Sequence, residues 1–239
     1  MSTTFVLVPG AWQGGWVWQP VAERLRAAGH TALTITSPGL AGGDVRSGLH
    51  LSDAVEHLIA EIEKRDLRDV VLVAHSWGGY LVTGAAHQVA GRLGGIVLFN
   101  AMVPRRGVSV ADESEVMGPQ IRAAIEATPD GTIPVTPEYL PSLLPESGEE
   151  LRSFFADLVV PMPGGYFTEA LDVDEVSGLG VPMHYLLSDN DQVLIRPGAE
   201  FAARLGLTPE PVGRGHQSMV THPGDVADAI LRLVQPARS

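Results

Sequence analysis

The stretch Val73-Ala74-His75-Ser76-Trp77-Gly78-Gly79 (VAHSWGG) joins two segments of different character. Before it runs an apolar segment, residues 69–74 (DVVLVA), and after it comes a segment of helical character, residues 79–90 (GYLVTGAAHQVA). A serine at a sharp strand-to-helix turn presents its hydroxyl where it can act as a nucleophile. Serine and glycine are also the commonest turn residues, so an ordinary Gly-rich turn is the competing reading. The rest of the chain has to discriminate between the two.

Outward from this turn, short β-rich apolar runs alternate with helical patterns. Strands are expected at residues 4–10, 31–36, 69–74, 93–101 and 181–188, with a weak sixth at 208–213. Helices are expected at residues 19–30, 51–66, 79–90, 197–206 and 224–235, with Ser52 as the N-cap of the second. Continuous apolar strands alternating with helices predict an α/β fold, a mainly parallel sheet of about six strands covered on both faces. Ligands collect at the carboxyl ends of such strands. Residues 104–180 break the alternation: they are Pro-rich, with helical pieces at 118–127 and 148–159. Long insertions in compact domains are usually functional, so this one is expected to be a cap over the site, the core being 1–103 and 181–239.

The 239 residues suit one domain, and a chain 45% hydrophobic and 18% charged can bury a large core. A net charge of −12 without a basic cluster argues against nucleic acid and against an anionic membrane surface. The absence of cysteine removes disulfides, thiolate catalysis and Cys-ligated metals. The N-terminal MSTTFVLVPG lacks a basic n-region and a long apolar core, so a cytoplasmic location is expected. No HExxH or clustered His/Asp pattern suggests a metal. The Gly-rich loop VPGAWQGGW lacks both GK[ST] and GxGxxG, which argues against a nucleotide. No cofactor is expected, and a homodimer is the assembly allowed for.

A serine nucleophile needs a base and a carboxylate that orients it, and on this fold the chain order is serine, acid, histidine. His216 lies in GRGHQSMVTHP, after the last strand and before the last helix. The acid should follow the fifth strand, where LLSDNDQVL offers Asp189 and Asp191. Asp191 is preferred because it precedes Val193 and Leu194, and Asp189 has a turn-capping alternative. A developing oxyanion needs two N–H donors. Trp77, just after the serine, and Ala11, in the loop after the first strand, are the candidates. Trp12, Pro9, Met102 and Gln217 are expected at the substrate pocket. Trp16 and Trp18 read as packing under the first helix. Arg105, Arg106 and Arg196 are the cations available to a substrate carboxylate.

The chain resembles the α/β-hydrolase superfamily, and within it the plant methylesterase and hydroxynitrile lyase family and its bacterial relatives. The matching segments are FVLVPGAWQGGWVW (5–18), VVLVAHSWGG (70–79), LLSDNDQV (186–193) and GHQSMVTHP (215–223). The resemblance implies Ser76, His216 and Asp191 as a catalytic triad, and Ala11 and Trp77 as oxyanion donors. Three departures stand out. Pro9-Gly10 replaces the family's His-Gly, Ala74 replaces the first elbow glycine, and Gln217 replaces the lysine that the lyases carry after the histidine. The expectation is a carboxylesterase-type hydrolase of a small to medium hydrophobic ester, lactone or thioester. The alternatives are lyase or cofactor-free oxygenase chemistry in the same pocket, or a ligand-binding protein on a hydrolase fold.

Overall fold

The computed structural model describes residues 2–145 and 147–234. Four strands come first: β1 (Thr4–Val8), β2 (Thr31–Thr34), β3 (Val70–His75) and β4 (Leu93–Phe99). Helix α1 (Gln19–Ala27) follows β1, α2 (Leu51–Lys64) follows β2, and α3 (Gly78–Ala86) follows β3. Between β4 and the next strand of the main sheet lie α4 (Met117–Glu126), β5 (Thr132–Ile133), α5 (Leu140–Leu143), α6 (Glu149–Leu158), β6 (Met162–Pro163) and α7 (Gly165–Thr168). The core resumes with β7 (Met183–Leu187), α8 (Gly198–Arg204), β8 (Glu210–Pro211), α9 (Ser218–Thr221) and α10 (Pro223–Val234). The sheet has the order β2-β1-β3-β4-β7-β8 with every neighbouring pair parallel. The expected sixth strand is real but only two residues long.

The apolar runs are continuous because successive side chains of a strand point to opposite faces, and both faces are covered. Val6, Val8, Leu72, Ala74, Ile96 and Leu98 pack with α2, α3 and α8 on one face. Phe5, Leu7, Val71, Val73, Val97 and Phe99 pack with α1 and α10 on the other. Helix α2 begins one residue earlier than its expected cap. His50, not Ser52, is its N-cap, because the Asp53 carboxylate reaches back to accept the His50 N–H at 2.8 Å. That back-reaching acidic residue three positions into the helix is the feature that fixes the start.

The side on which successive strands are added to the sheet reverses between β1 and β3. The chain leaves β1 toward β2 on one side and leaves β3 toward β4 on the other, so the two following loops part and leave a crevice. The insertion between β4 and β7 pairs only with itself in the sheets, through the antiparallel β5–β6 ladder. Several contacts bind it to the core, two of them at Trp12. The Trp12 indole N–H donates to the Ile133 carbonyl at 2.8 Å, and the Val160 N–H donates to the Trp12 carbonyl at 3.0 Å. Glu113, its side chain fully buried, accepts Arg204 at 2.7 and 2.8 Å and Arg196 at 3.0 Å. Burial pushes the Glu113 carboxyl up, but the hydrogen bonds and charge of Arg204, with Arg105 and Arg196, outweigh it and hold its pKa below the ordinary value.

A buried charge stripped of its partner is costly. Glu113→Ala is expected to lower unfolding free energy by about 3 kcal/mol in urea titrations. The advantage of the wild type over Glu113→Gln should be full above the ordinary carboxylate pKa of 4.5 and shrink as pH falls through the lower folded value. Equal stability of the two proteins at pH 7 would show that this contact does not hold the insertion.

Candidate active site

Ser76 sits at the first position after β3, in the crevice, with φ of 52°. Positive φ in a non-glycine residue is strained, and such strain gathers at functional sites. Trp12 (φ 64°) and Asn100 (φ 44°) flank the same crevice, after β1 and β4. The Ser76 N–H donates to the Asn100 carbonyl at 3.1 Å, and the Ser76 carbonyl accepts from Met102 at 2.9 Å. The backbone of the turn is thereby tied to the end of β4.

The glycines around the turn have steric reasons. A Cβ on Gly78 would lie 2.6 Å from the Pro9 carbonyl oxygen, and one on Gly79 would lie 1.8 Å from that of Met102. Gly10 has no room either, since its Cβ would meet Ser76 Cβ at 2.8 Å and His75 Nδ1 at 2.9 Å. Ala74, where the usual pattern has glycine, is fully buried in β3 without disturbing its pairing to Val8 and Leu98.

His216 stands in the loop between β8 and α9. Its Nδ1 lies 2.8 Å from Asp191 Oδ2, and both side chains are 2% exposed. The other Asp191 oxygen accepts the Val193 N–H at 2.9 Å. Burial raises the Asp191 pKa, but the charge and hydrogen bond of His216 and the Val193 N–H outweigh this, leaving the carboxyl below its ordinary value. It is ionised at neutral pH. Asp189 is exposed and is not the partner of the histidine. No hydrogen bond joins Ser76 Oγ to the His216 ring among the described residues. The two loops are linked instead through Asn100, whose Nδ2 donates to the His216 carbonyl at 3.3 Å and to Ser188 Oγ at 2.9 Å.

The backbone N–H groups of Ala11 and Trp77 have no protein acceptor among the described residues. Both residues are buried, and Trp77 is the N-cap of α3, where unpaired N–H groups favour negative charge. The Trp77 indole stacks on Tyr166 with ring centroids 5.0 Å apart and donates to the Tyr166 carbonyl at 3.0 Å.

A cavity of about 280 Å³ opens over Ser76, floored by Ala11, Trp12 and Met102. Phe167 and Tyr139 form aromatic walls, Met117, Ile121 and Ala124 of α4 line one side, and Val193 and Ile195 another. No charged side chain lines it among the described residues. Burial and the nearby Asp191 carboxylate push the Tyr139 phenol up to about 12, so it stays protonated.

Of the residues expected at the pocket, Trp12 and Met102 line the cavity, and Pro9 and Gln217 do not. Pro9 is held against Gly78 at the end of β1. Gln217 is buried and turned toward a separate small void beside Leu143, Leu144 and Pro145. Trp16 does not pack under α1 alone, since it meets Phe155 of the insertion edge-on at 5.3 Å. The three arginines that could have met a substrate carboxylate are engaged elsewhere: Arg105 and Arg196 with Glu113, Arg106 with Asp172 and Asp174. Sequence reasoning missed Tyr139 and Phe167, which lie in the insertion where no motif guides the eye. Asn100, a polar residue ending an apolar strand, was not among the expected site residues.

The profile of the Alpha/beta hydrolase family matches residues 5–229. The chain belongs to the alpha/beta hydrolase family. It is 41% identical over 112 residues to the carbendazim hydrolyzing esterase of Nocardioides sp. (strain SG-4G), a match covering 44% of this chain and 45% of that protein. It is 36% identical over 103 residues to methyl jasmonate esterase 1 of Vitis vinifera, covering 42% of this chain and 40% of that one. The matched stretch thus spans less than half the length of either relative. An extracellular α/β-hydrolase from a Paenibacillus species superposes with a TM-score of 0.90 at 25% identity, over 97% of this chain and 98% of that chain. That enzyme is described as sharing structural and functional homology with tobacco salicylic acid binding protein 2.

Gly10→Ala tests the crowding at the crevice. Its Cβ can be accommodated only by moving Ser76 or His75, so activity toward p-nitrophenyl acetate should fall at least about tenfold. Unchanged kinetics in the folded variant would show that the Gly10 approach does not set the geometry of the site.

Proposed function

We propose that the protein is a serine ester hydrolase acting on small to medium, uncharged, hydrophobic carboxylic esters. The observation that carries this reading is the buried Asp191–His216 pair, 2.8 Å apart, in the crevice that holds Ser76 on a strained turn under an apolar cavity. Its relatives named as methylesterases and as a carbendazim hydrolyzing esterase are consistent with it.

Ser76 Oγ attacks the ester carbonyl carbon while His216 Nε2 takes its proton. This contact tightens as the substrate enters, as is usual for catalytic hydrogen bonds. Asp191 accepts Nδ1–H, fixes the tautomer and stabilises the imidazolium that forms. The N–H groups of Ala11 and Trp77 stabilise the oxyanion of the tetrahedral intermediate. His216 then gives its proton to the leaving alcohol, and an acyl-Ser76 ester remains. Water, deprotonated by His216, attacks that ester and releases the acid. No cofactor or metal is needed for these steps.

The lining of the cavity argues for the substrate class. A charged ligand would be desolvated there without a counter-charge, because no charged side chain lines the cavity among the described residues and Arg196 and Arg204 are paired with Glu113. The insertion acts as the cap: it supplies Tyr139, Phe167 and the α4 wall, and it excludes water from the ester. A cytoplasmic protein without nucleic-acid or membrane partners fits the acidic composition. No helix among the described residues is long and apolar enough to cross a membrane.

Turnover of p-nitrophenyl acetate and butyrate tests the proposal. Ser76→Ala and His216→Ala should each lose roughly a thousandfold or more in kcat, and Asp191→Asn a comparable amount. Acyl-Ser76 should appear by mass spectrometry. An inert wild type with no adduct would sink the esterase reading in favour of non-hydrolytic chemistry or ligand binding.

A further inference from the structure

The residue before the nucleophile, His75, has no part in the mechanism above, yet it touches the loop that carries His216 and faces Gly10 in the loop after β1. It is fully buried at the end of β3. Its Nε2 lies 2.9 Å from the His216 carbonyl oxygen. A carbonyl only accepts, so Nε2 carries the proton and His75 is the donor. The ring centroids of His75 and His216 are 4.5 Å apart at an interplanar angle of 50°. On its other side the His75 Nδ1 has no hydrogen-bond partner and faces Gly10, where a Cβ would approach to 2.9 Å.

We propose that His75 is a positioning residue for the general base: its Nε2–H and its ring fix the backbone and ring plane of His216 relative to Ser76. The inference rests on the assignment of Ser76, His216 and Asp191 above. The carbonyl of His216 receives two donors, His75 Nε2 and Asn100 Nδ2 at 3.3 Å. One of these residues precedes Ser76 in the chain, and the other accepts the Ser76 N–H through its carbonyl. Nucleophile and base are therefore referenced to the same two strand ends, though no direct hydrogen bond joins their side chains. Burial, and then the proximity of His216, hold the His75 pKa well below its ordinary value. A neutral ring beside the base adds no repulsion when His216 gains its proton.

Simple core packing is the competing explanation, since Phe99 and Trp18 also surround the His75 ring at 5.5 and 6.3 Å. The two accounts differ in what a substitution does. His75 does not line the cavity, so loss of positioning lowers kcat and leaves KM unchanged. Glutamine can place its side-chain amide where His75 Nε2 stands, whereas asparagine reaches only the Nδ1 position and leucine donates nothing.

The test is steady-state kinetics on p-nitrophenyl acetate for the full chain and its His75→Gln, His75→Asn and His75→Leu variants. Labelling of Ser76 by a fluorophosphonate and thermal melting are measured alongside. His75→Leu and His75→Asn are expected to lose about tenfold to a hundredfold in kcat and in labelling rate, with KM within about twofold of wild type. His75→Gln should recover most of that loss whatever its melting temperature. If His75→Leu does not fold, the comparison of Gln with Asn decides. Equal kcat in those two, or wild-type kcat in a folded His75→Leu, overturns the proposal and leaves the triad standing. A wild type that neither turns over nor labels overturns both the triad and this role.

Discussion

The first turn of α3 lies against the segments that end its neighbouring strands with no room for a side chain. Gly79 has the Met102 carbonyl where a Cβ would be, and Gly78 has that of Pro9. With any side chain at either position α3 would have to move away from the sheet. Ser76 would then lose the strained φ that lifts it into the crevice, and its backbone ties to Asn100 and Met102. The cost of that strain, about 1–3 kcal/mol for such a residue, is offset by hydrogen bonds on both sides of the turn and by the packing of a wholly buried α3. The same closeness brings the loop after β1 against the serine, where a Cβ on Gly10 would meet that of Ser76 at 2.8 Å. The local chemistry is a consequence of how near three strand ends can come.

The insertion is coupled to this point, not merely laid above it. Trp12, in the loop after β1, is bonded to Ile133 and Val160 through its indole and its carbonyl, and its ring packs between Tyr139 and Phe167. Trp77, next to the serine, stacks on Tyr166. Both candidate oxyanion loops thus carry a tryptophan whose partner lies in the insertion. A shift of the insertion pulls on those loops, which makes cavity shape and the placement of the N–H donors interdependent. Glu113 secures the far side by an ion-pair cluster whose charges are satisfied by one another and kept off the cavity wall.

The core was legible in the sequence because its signals are strong and redundant. Six apolar runs with intervening helical patterns specify a parallel sheet, and the serine, acid and histidine each follow a strand. The choice between Asp189 and Asp191 rested on a small preference for a following apolar residue. In the structure Val193 turns its N–H back onto Asp191, while its side chain lines the cavity. The insertion was legible only as an interruption. Its helices are short, and its cavity-lining residues are scattered over α4, α5's leading turn and α7 with no common period. Gln217 was misplaced for a related reason. Adjacency to His216 in sequence does not decide which side of a tight turn a side chain takes, and here Leu143 and Leu144 of the insertion receive it.

The distribution of charge separates the outside of the protein from the site. A net charge of −12 is spread over the chain, yet no charged side chain lines the cavity among the described residues, and the Asp191 carboxylate is engaged by His216 and Val193. On the proposed mechanism, a carbonyl oxygen that becomes anionic at Ser76 would meet apolar walls around it and the N–H groups of Ala11 and Trp77 before it. Water would stabilise that anion by reorienting around it, which costs free energy at the moment of reaction. Dipoles fixed by the fold have met this cost in advance. The strained turn, the crowded glycines and the buried histidine pair are therefore one investment of folding free energy, made where the negative charge would develop.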